Sequence, residues 1–338
     1  MKKIICLMLS LLVLLTSCGE VYRYTSDTYF AMNTVMTVIS ENKEIHVGIY
    51  KDVTECENNF SRTLENSEIY KLNENTNAVL SDTTLYMLEK ALQIAKDTDY
   101  AFNPCMGSLS DLWDITSGKN VVPDSDSIKT ALEKCGADKV VVEGNTVTVP
   151  EGMKIDFGGV AKGYTAQLVI DKHKDKNLCV NLGGNVAVNG SSQSNRDKNG
   201  GWNVGITNPF DNTKTVGTLN LSFGFVSISG AYERFFEKDG KVYHHIFDPK
   251  TGYPADSGLA SVAVISQDGL LADALSTALF VMGKNRAEAF YKQGKYDFDV
   301  IMVSNDGFVY VSEGIYESFS FDNSAVDKNS NKLKLVVI

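Results

Sequence analysis

The sequence lacks the excess of positive charge that nucleic-acid binding requires. Its 338 residues include 32 lysines and arginines against 42 aspartates and glutamates, which gives a formal net charge of -10. Binding to a nucleic-acid backbone depends on basic side chains that neutralise phosphates, so we expect no nucleic-acid partner. The acidity does not exclude a small anionic substrate, because a local basic cluster or a bound cation can reverse the sign inside one pocket.

Cysteine is scarce as well, and no two cysteines form a C-x-x-C pair. This wide spacing excludes a zinc knuckle and a thioredoxin-like redox site. Cys179, flanked by Leu178 and Val180, is typical of a buried strand residue. The sequence leaves open whether any of the other cysteines forms a disulfide.

No apolar run is long enough to span a membrane, but the one at the N-terminus is typical of a signal peptide. Lys2 and Lys3 precede an apolar run at residues 4–15, which is shorter than the ~20 residues of a spanning helix. The segment LTSCG at residues 15–19 resembles the lipobox of bacterial lipoproteins, in which the cysteine becomes the lipidated first residue. An ordinary cleaved signal or a buried cysteine is the alternative.

We therefore expect a signal peptide at residues 1–17, a lipid anchor on Cys18 and a polar tether at residues 18–26. More than one acyl chain makes such anchoring stable. The expected location is the extracytoplasmic face of the cell membrane, with the membrane as a partner through the lipid. Residues 27–338 are expected to form one compact catalytic unit, because no fixed-period repeat interrupts them.

Hairpins mixed with separate helices predict an α+β fold with mixed, largely antiparallel sheets flanked by helices, and not a regular βαβ alternation. Apolar side chains at helical spacing predict helices at residues 44–58, 83–96 and 126–135. Turn residues predict hairpins around Gly144 and Gly307. Further strands are predicted at residues 36–39, 178–181, 202–206, 225–228, 259–265, 299–303 and 308–311.

A histidine pair lies near the end of a predicted strand at residues 241–247. Because side chains alternate along a strand, His245 shares a face with Tyr243 and Phe247, whereas His244 lies on the other face. A histidine fixed before the turn that follows can accept a proton from a reacting hydroxyl, since it titrates near neutrality. Taken alone, the segment favours a histidine that only packs beside a hairpin.

A glycine-rich segment at residues 154–164 predicts a strand that ends at Asp156, then the pair Gly158-Gly159, then a helix. Paired glycines let the backbone approach a ligand, helix N-terminal amides favour phosphate, and Lys162 adds a positive charge. The segment matches neither G-x-G-x-x-G nor G-x-x-x-x-G-K-[ST], so it supports neither a Rossmann nor a P-loop site. Its glycine content fits a plain tight turn as well as a ligand loop.

A predicted helix at residues 269–282 carries polar side chains within an apolar sequence. Asp273 and Thr277 are four residues apart, so both oxygens lie on one face, and Asp268 is better placed to cap the helix. A buried carboxylate needs a cation or a basic partner, and hard oxygen ligands suit Mg²⁺. The alternative is a hydrogen bond from Thr277 to the Asp273 carbonyl, with the carboxylate paired to an arginine or lysine.

A phosphate-type loop, an oxygen-ligand helix and a histidine strand are together the parts needed for metal-assisted phosphoryl transfer. With these motifs in this order, the chain resembles the ApbE family of flavin transferases, which move FMN from FAD onto a Ser or Thr of an acceptor protein. The resemblance covers nearly the whole mature chain. It rests on MNT at residues 32–34, SE at 67–68, AFNP at 101–104, residues 156–163, NLGGN at 181–185, SG at 229–230, residues 245–254 and residues 273–277.

The resemblance implies roles for individual residues. His245 matches the residue that takes the proton from the acceptor hydroxyl. Asp273 and Thr277 match Mg²⁺ ligands, completed by a main-chain carbonyl from Gly159 or, as the alternative, Ala161. FAD would be the substrate, and the positions that match its binding site are Met32, Thr63, Ala101, Phe102, Asn103, Asp156, Lys162 and Phe247.

The chain departs from the family pattern at three of its motif positions. Asn33 stands where the family often has glycine, and Asn103 where it often has aspartate. Thr63 aligns with a tyrosine that usually precedes the Ser-Glu pair. Loss of that aromatic face removes a stacking surface for the flavin or adenine ring, which bears on how tightly FAD is held and how well water is excluded.

The resemblance thus implies a Mg²⁺-dependent FAD:protein FMN transferase that forms a phosphodiester-linked flavin and releases AMP. The expected acceptors are flavin-binding subunits of extracytoplasmic redox systems. Two alternatives stay open. Water as the nucleophile would give an FAD pyrophosphatase that releases FMN and AMP, which Thr63 favours, and a lipoprotein that only binds FAD would need neither metal ligands nor a placed histidine.

Overall fold

The computed structural model describes residues 23–195 and 200–338. The predicted signal peptide at residues 1–17, the lipid anchor at Cys18 and the first part of the tether lie outside the described residues. The first strand begins at Thr25, within the segment predicted as a tether. Within these ranges, none of the helices combines the length and the apolar character that crossing a membrane requires.

The described chain alternates strands with helices without a regular repeat. The strands are β1 (Thr25–Ala31), β2 (Thr34–Ser40), β3 (Asn77–Val79), β4 (Val141–Glu143), β5 (Thr146–Thr148), β6 (Leu178–Leu182), β7 (Asn185–Asn189), β8 (Trp202–Asn208), β9 (Asp211–Leu221), β10 (Phe223–Gly230), β11 (Phe235–Lys238), β12 (Lys241–His244), β13 (Leu259–Ser266), β14 (Asp299–Ser304), β15 (Phe308–Val311), β16 (Phe319–Phe321) and β17 (Lys334–Val337). The helices are Glu44–Phe60, Glu68–Asn75, Asp82–Asp97, Gly107–Trp113, Ser125–Leu132, Ala161–Lys172, Gly269–Lys292 and Glu313–Tyr316, with a 3₁₀ turn at Ala137–Lys139.

A nine-stranded sheet forms the centre of the molecule and confirms the predicted α+β class. Its strands lie in the order β1, β2, β6, β7, β10, β13, β14, β15, β17. Neighbours are antiparallel except for β15 and β17, which are parallel. Three small sheets surround it, in the orders β16-β9-β8, β3-β5-β4 and β11-β12.

The central sheet is covered on both faces, as β13 illustrates. All of its residues are buried, and alternate side chains point to opposite faces of a strand. Val262 and Val264 belong to the apolar cluster beneath the helices, whereas Ala263 and Ile265 belong to the cluster under β8 and β9. Apolar residues on both faces therefore fix β13 between two layers.

Two glycines set the spacing between the helices Ala161–Lys172 and Gly269–Lys292. A Cβ on Gly163 would lie 2.1 Å from the Gly269 carbonyl oxygen, and a Cβ on Gly269 would lie 2.4 Å from the Gly163 carbonyl oxygen. Either position therefore excludes a side chain. The second helix begins as predicted, because the Asp268 side chain accepts from the Leu271 N–H at 2.9 Å.

The predicted helices near residues 44–58 and 83–96 and both predicted hairpins are confirmed. The predicted strand that ends at Asp156 is wrong. Its backbone is extended, but Ile155 donates to the Asn73 side chain at 2.7 Å and Asp156 donates to the Pro104 carbonyl at 2.7 Å. A side chain and a loop take the place of a neighbouring strand, so no ladder forms.

Candidate active site

One cavity of about 980 Å³ brings the predicted site residues together. Its volume is at the upper end of the roughly 300–1,000 Å³ typical of small-molecule and cofactor pockets. The predicted residues that line it are Met32, Thr63, Ala101, Phe102, Asn103, Asp156, Gly159, Lys162, His245, Phe247, Asp273 and Thr277. These residues come from distant segments of the chain and are brought together only by the tertiary fold.

Asp273 is a buried carboxylate at the wall of this cavity. Its side chain is 4% exposed, and Oδ2 accepts from the Gly163 N–H at 2.9 Å. That amide lies in the first turn of the helix Ala161–Lys172, whose N-terminal partial charge favours an anion. Burial raises the pKa of Asp273, against the opposing effects of the Lys162 charge and the Gly163 amide.

Thr277 turns its hydroxyl toward the glycine loop. Its Oγ1 lies 3.2 Å from Ser229 Oγ, and a Cβ on Gly159 would lie 3.4 Å from the same atom. The alternative had Thr277 donating to the Asp273 carbonyl; in the structure Ser276 Oγ donates to that carbonyl at 2.8 Å, and Thr277 Oγ1 pairs with Ser229 Oγ. The Thr277 hydroxyl thus faces Ser229 and the glycine loop, in the cavity that Asp273 also lines.

These donors fit a hard cation with few protein ligands. In the described part of the chain, no three His, Cys, Asp or Glu side chains converge as a metal cluster. A metal here would rely on the Asp273 carboxylate, the Thr277 hydroxyl and a main-chain oxygen of the adjacent Gly159 loop. Mg²⁺ accepts such a set, because it binds oxygen, keeps several waters and is completed by substrate phosphates.

His245 follows the last residue of β12 and lines the cavity, and one of its ring nitrogens is hydrogen-bonded. Its Nδ1 lies 3.3 Å from the Arg234 carbonyl oxygen. Since a carbonyl only accepts, Nδ1 must carry the proton, which leaves the Nε2 lone pair free in the neutral ring. Burial lowers the pKa of His245 to about 3, and the charge of Arg234 acts in the same direction. The ring is therefore neutral at physiological pH.

His244, by contrast, is held by packing and by bonds on both sides of its ring. Nε2 lies 3.0 Å from the Ala255 carbonyl oxygen, and Nδ1 accepts from the Ile246 N–H at 3.3 Å. The ring meets Phe280 edge-on, with ring centres 5.6 Å apart. This environment agrees with the structural role expected for His244.

Phe247 and the turn after it are fixed by Trp113. The two rings stack with centres 5.8 Å apart, and Trp113 Nε1 donates to the Gly252 carbonyl at 2.9 Å. Gly252 has a φ of 73°, which favours glycine. The turn that follows the histidine strand is thereby held against the helix Gly107–Trp113.

Asp156 is committed to protein contacts at the edge of the cavity. Its Oδ1 accepts from the Gly158 N–H at 2.9 Å, and Oδ2 meets Ser110 Oγ at 2.9 Å and Arg62 Nε at 3.0 Å. Burial acts to lower the pKa of Arg62, but Asp156 and Asp111 outweigh it, so the pKa is raised. The carboxylate therefore shapes the glycine loop and holds Arg62 over the cavity.

The departures at Asn33 and Asn103 have structural reasons. Asn33 has a φ of 56° in the two-residue turn between β1 and β2, a region that asparagine adopts more readily than most residues. Asn103 Nδ2 donates to the Cys135 carbonyl at 2.7 Å, and Oδ1 accepts from the Cys105 N–H at 2.8 Å. An ionised aspartate at this position would accept the second bond but could not donate the first.

Thr63 lies exposed at the rim, with Oγ1 3.2 Å from Ser61 Oγ. It presents no aromatic face to the cavity. Phe102, 3% exposed, lies deeper, where a Cβ on Gly159 would lie 3.2 Å from its ring. Ala101 beside it is also buried, and Met32 reaches the rim from the β1–β2 turn. An aromatic surface is therefore available at the floor of the cavity and not at Thr63.

Sequence reasoning missed four charged residues that line the cavity, namely Glu57, Arg62, Glu233 and Arg234. Burial raises the pKa of Glu233 to about 7, although Lys162 and Arg234 oppose this shift. Protein surrounds Glu233 on the wall side, while the open cavity leaves it in contact with solvent. The motif at Ser229-Gly230 pointed to this segment but ended before its charged residues.

Comparisons with known proteins find a family and relatives that match most of the chain. Residues 32–302 match the model of the ApbE family. An FAD:protein FMN transferase of Treponema pallidum is 32% identical over 314 residues, covering 87% of this chain and 83% of the relative. One of Klebsiella pneumoniae is 37% identical over 229 residues, covering 66% and 68%.

Solved structures resemble the fold over most of its length. The ApbE protein of Thermotoga maritima superimposes with a TM-score of 0.79 at 32% identity, covering 88% of this chain and 99% of that chain. The flavin transferase ApbE of Vibrio cholerae gives a TM-score of 0.74 at 24% identity, covering 84% and 94%. The second likeness concerns the fold alone.

Proposed function

The chain belongs to the ApbE family and is an FAD:protein FMN transferase, and we propose that it moves FMN onto a Ser or Thr hydroxyl with the help of Mg²⁺. The observation that carries the proposal is the state of His245. Its neutral ring has one nitrogen bonded to a carbonyl and the other free, in the cavity that Asp273 and Thr277 also line. A free, fixed lone pair is what a general base requires.

The proposed reaction exchanges one phosphorus–oxygen bond for another. His245 Nε2 takes the proton of the acceptor hydroxyl, and the hydroxyl oxygen attacks the FMN-side phosphorus of FAD. The bond from that phosphorus to the bridging oxygen breaks, and AMP leaves with that oxygen. The acceptor then carries FMN through a phosphodiester.

The cavity wall would hold the pyrophosphate during this exchange. Asp273, Thr277 and the Gly159 loop would bind Mg²⁺, which when present neutralises phosphate charge. Lys162 adds a second positive charge, since it influences both the Asp273 carboxylate and His245. The first amides of the helix Ala161–Lys172 add partial positive charge at the same place.

Hydrolysis of FAD to FMN and AMP is a second candidate reaction of the same site. The observation that favours it is the exposed Thr63 at the rim, a side chain without an aromatic face. Water would then compete with the acceptor hydroxyl for the same phosphorus. A protein that only binds FAD is disfavoured, because passive binding needs no base with a free lone pair.

Location and partners complete the proposal. We propose a lipid anchor on Cys18 at the extracytoplasmic face of the cell membrane, supported by the lipobox-like segment at residues 15–19. The proposed acceptors are flavin-binding subunits of extracytoplasmic redox systems. An anchored enzyme and membrane-bound acceptors would share one surface, which favours their encounter.

One experiment separates the candidate reactions. The full-length protein in detergent is incubated with FAD and Mg²⁺, with and without membrane proteins from host cells that lack this chain, and then denatured. Flavin fluorescence that stays with a protein band indicates transfer, FMN and AMP without acceptor indicate hydrolysis, and unchanged FAD indicates binding only. Asp273→Ala should abolish either reaction; full activity in that variant contradicts the metal assignment.

A further inference from the structure

The hairpin β11–β12 stands beside the cavity and leads to His245. In the described residues its strands pair only with each other. The ladder continues past β12, because the His245 N–H donates to the Arg234 carbonyl at 3.1 Å. His245 is thus fixed at the base of the hairpin, three residues beyond Val242, which is roughly 10 Å along an extended strand.

The two faces of this hairpin differ in how they are covered. On one face, the rings of Phe236 and Tyr243 stack with centres 5.2 Å apart, and Tyr243 lies 5.7 Å from the ring centre of Trp113. On the other face, Phe235 is 47% exposed and Val242 is 44% exposed. Neighbouring apolar side chains left open beside a cavity are typical of an interaction surface.

A second apolar surface lies on the other hairpin at the cavity. Phe30 and Val35 are directly opposite each other on β1 and β2 and are 65% and 59% exposed. Phe30 also lines the cavity. Arg234 Nη2 donates to the Asn33 carbonyl at 3.3 Å and so links the two hairpins. Phe30 therefore lies at the cavity that His245 lines, whereas Phe235 and Val242 share the hairpin face of His244, opposite to that of His245.

We propose that the hairpin β11–β12 docks an extended segment of the acceptor protein with apolar residues beside its Ser or Thr. The segment would pair with the free edge of β12 and contact Phe235 and Val242 with its apolar side chains. Because side chains alternate along a strand, the Ser or Thr next to them would point to the opposite face, which is that of His245. This inference rests on the proposed function, because transfer requires the acceptor hydroxyl to reach His245. Addition of a strand would use both the free edge of β12 and the exposed apolar side chains, because main-chain hydrogen bonds supply affinity and side-chain contacts supply specificity.

A membrane surface is the other class of partner that could cover these side chains. Lipid would bury Phe235 and Val242, but it would leave the backbone edge of β12 without a partner. It would also bring no hydroxyl toward His245. The continuous ladder from β12 to the base therefore favours a protein segment.

The ladder identifies a substitution that tests the free edge directly. Arg234 and His245 form a hydrogen-bonded pair, and such pairs alternate along an antiparallel ladder. Tyr243 and Phe236 are then the next bonded pair, and the Val242 N–H points away from β11. Val242→Pro would remove this outward donor and leave the hairpin ladder in place.

The test measures flavin transfer by the full-length protein in detergent. FAD, Mg²⁺ and membrane proteins from host cells that lack this chain are supplied, and covalent flavin is read by fluorescence after denaturing electrophoresis. Val242→Asp and Val242→Pro should each raise the half-saturating acceptor concentration at least about tenfold. FAD affinity and melting temperature should stay unchanged.

Val79→Asp is the matched control. Val79 is 72% exposed and lies on β3, an edge strand of a different small sheet away from the cavity. This variant should keep the acceptor dependence of the wild type.

Each remaining outcome has a distinct meaning. Wild-type protein that flavinylates nothing refutes the proposed function and the docking inference with it. Wild-type transfer with the same acceptor dependence in both Val242 variants refutes the docking inference alone. An effect of Val242→Asp without one of Val242→Pro refutes pairing at the edge. A loss seen only in phosphatidylglycerol vesicles, and not in detergent, assigns the surface to lipid and overturns the proposal.

Discussion

His46 and His245 are both histidines whose rings are hydrogen-bonded, but they lie in different regions of the molecule and differ in whether they can act as a base. His46 Nδ1 lies 2.8 Å from Asp27 Oδ2, and Nε2 lies 2.7 Å from Ser40 Oγ. This is the Ser–His–Asp arrangement of many hydrolases. Among the described residues, the ring of His245 has a single hydrogen-bond partner, the Arg234 carbonyl oxygen at 3.3 Å.

Access and free lone pairs decide between the two regions. His46 is 0% exposed and Ser40 is 1% exposed, and neither lines the cavity. Both ring nitrogens of His46 are engaged, and Ser40 Oγ also donates to the Asn42 carbonyl at 2.9 Å. The group joins β1, β2 and the helix Glu44–Phe60. A triad geometry therefore indicates a base only where the ring faces a cavity with one nitrogen free.

The strongest test of this contrast is His245→Gln. Loss of a general base should lower the rate of flavin transfer by ~10²–10⁴-fold, because the glutamine amide cannot take the proton of the acceptor hydroxyl. FAD affinity should change little. Single-turnover transfer and FAD titration measure both quantities, and a wild-type transfer rate would remove His245 as the base.

The complementary test is His46→Gln, whose effect should fall on stability. Two buried hydrogen bonds are weakened, so the melting temperature should fall by about 2–6 °C. The transfer rate per folded molecule should match the wild type. Calorimetry beside the transfer assay provides the measurement, and a rate loss without a stability loss would reverse the assignment of the two regions.

The pH dependence of stability distinguishes His245 further. The folded pKa of His245 is lowered from its ordinary value of 6.5 to about 3. The unfolded chain thus binds a proton that the folded chain does not bind, and stability falls as pH drops from about 6.5 toward 3. His245→Gln should remove this part of the loss. Denaturant unfolding of both proteins across that range checks it, and parallel curves contradict it.

A smaller effect of opposite sign is expected at Glu233. Its folded pKa is raised from its ordinary value of 4.5 to about 7, so the folded chain binds the extra proton and stability falls as pH rises from about 4.5 to 7. Glu233→Gln should flatten that slope and be the more stable protein above pH 7. Contact with solvent in the open cavity keeps the effect small. Melting curves of both proteins at pH 5 and pH 8 test this prediction. If Glu233→Gln shifts the melting temperature equally at both pH values, ionisation of Glu233 does not affect stability.

Local patterns predicted much of this molecule. The apolar sequence and the cap at Asp268 sufficed for the helix predicted at residues 269–282, because helix starts depend on neighbouring residues. The structure extends this helix past a kink at Gly283 to Lys292, a part that was not predicted. The order of the motifs was enough to predict a set of site residues that the structure brings into one cavity. The roles assigned to those residues stay predictions that the variants above test.

The missed features depend on contacts between distant segments. Arg62 becomes informative only when Asp156 and Asp111 meet it, and Glu233 only when the cavity wall surrounds it. The strand predicted before Asp156 was wrong for the same reason, since the Ile155 N–H donates to the side chain of the distant residue Asn73 and not to a neighbouring strand. The hydrogen bond donated by Asn103 could not be predicted either, because its acceptor, the Cys135 carbonyl, is distant in the sequence. No periodicity encodes such pairings.

The contact between Gly163 and Gly269 has a mechanical consequence. No layer of side chains separates the two helices there, so nothing soft can absorb a displacement of one against the other. The glycine loop ahead of Gly163 and the first turns that carry Asp273 must therefore move as one stiff unit. A displacement of the glycine loop would therefore be passed to the buried carboxylate of Asp273, and along its helix toward the kink at Gly283.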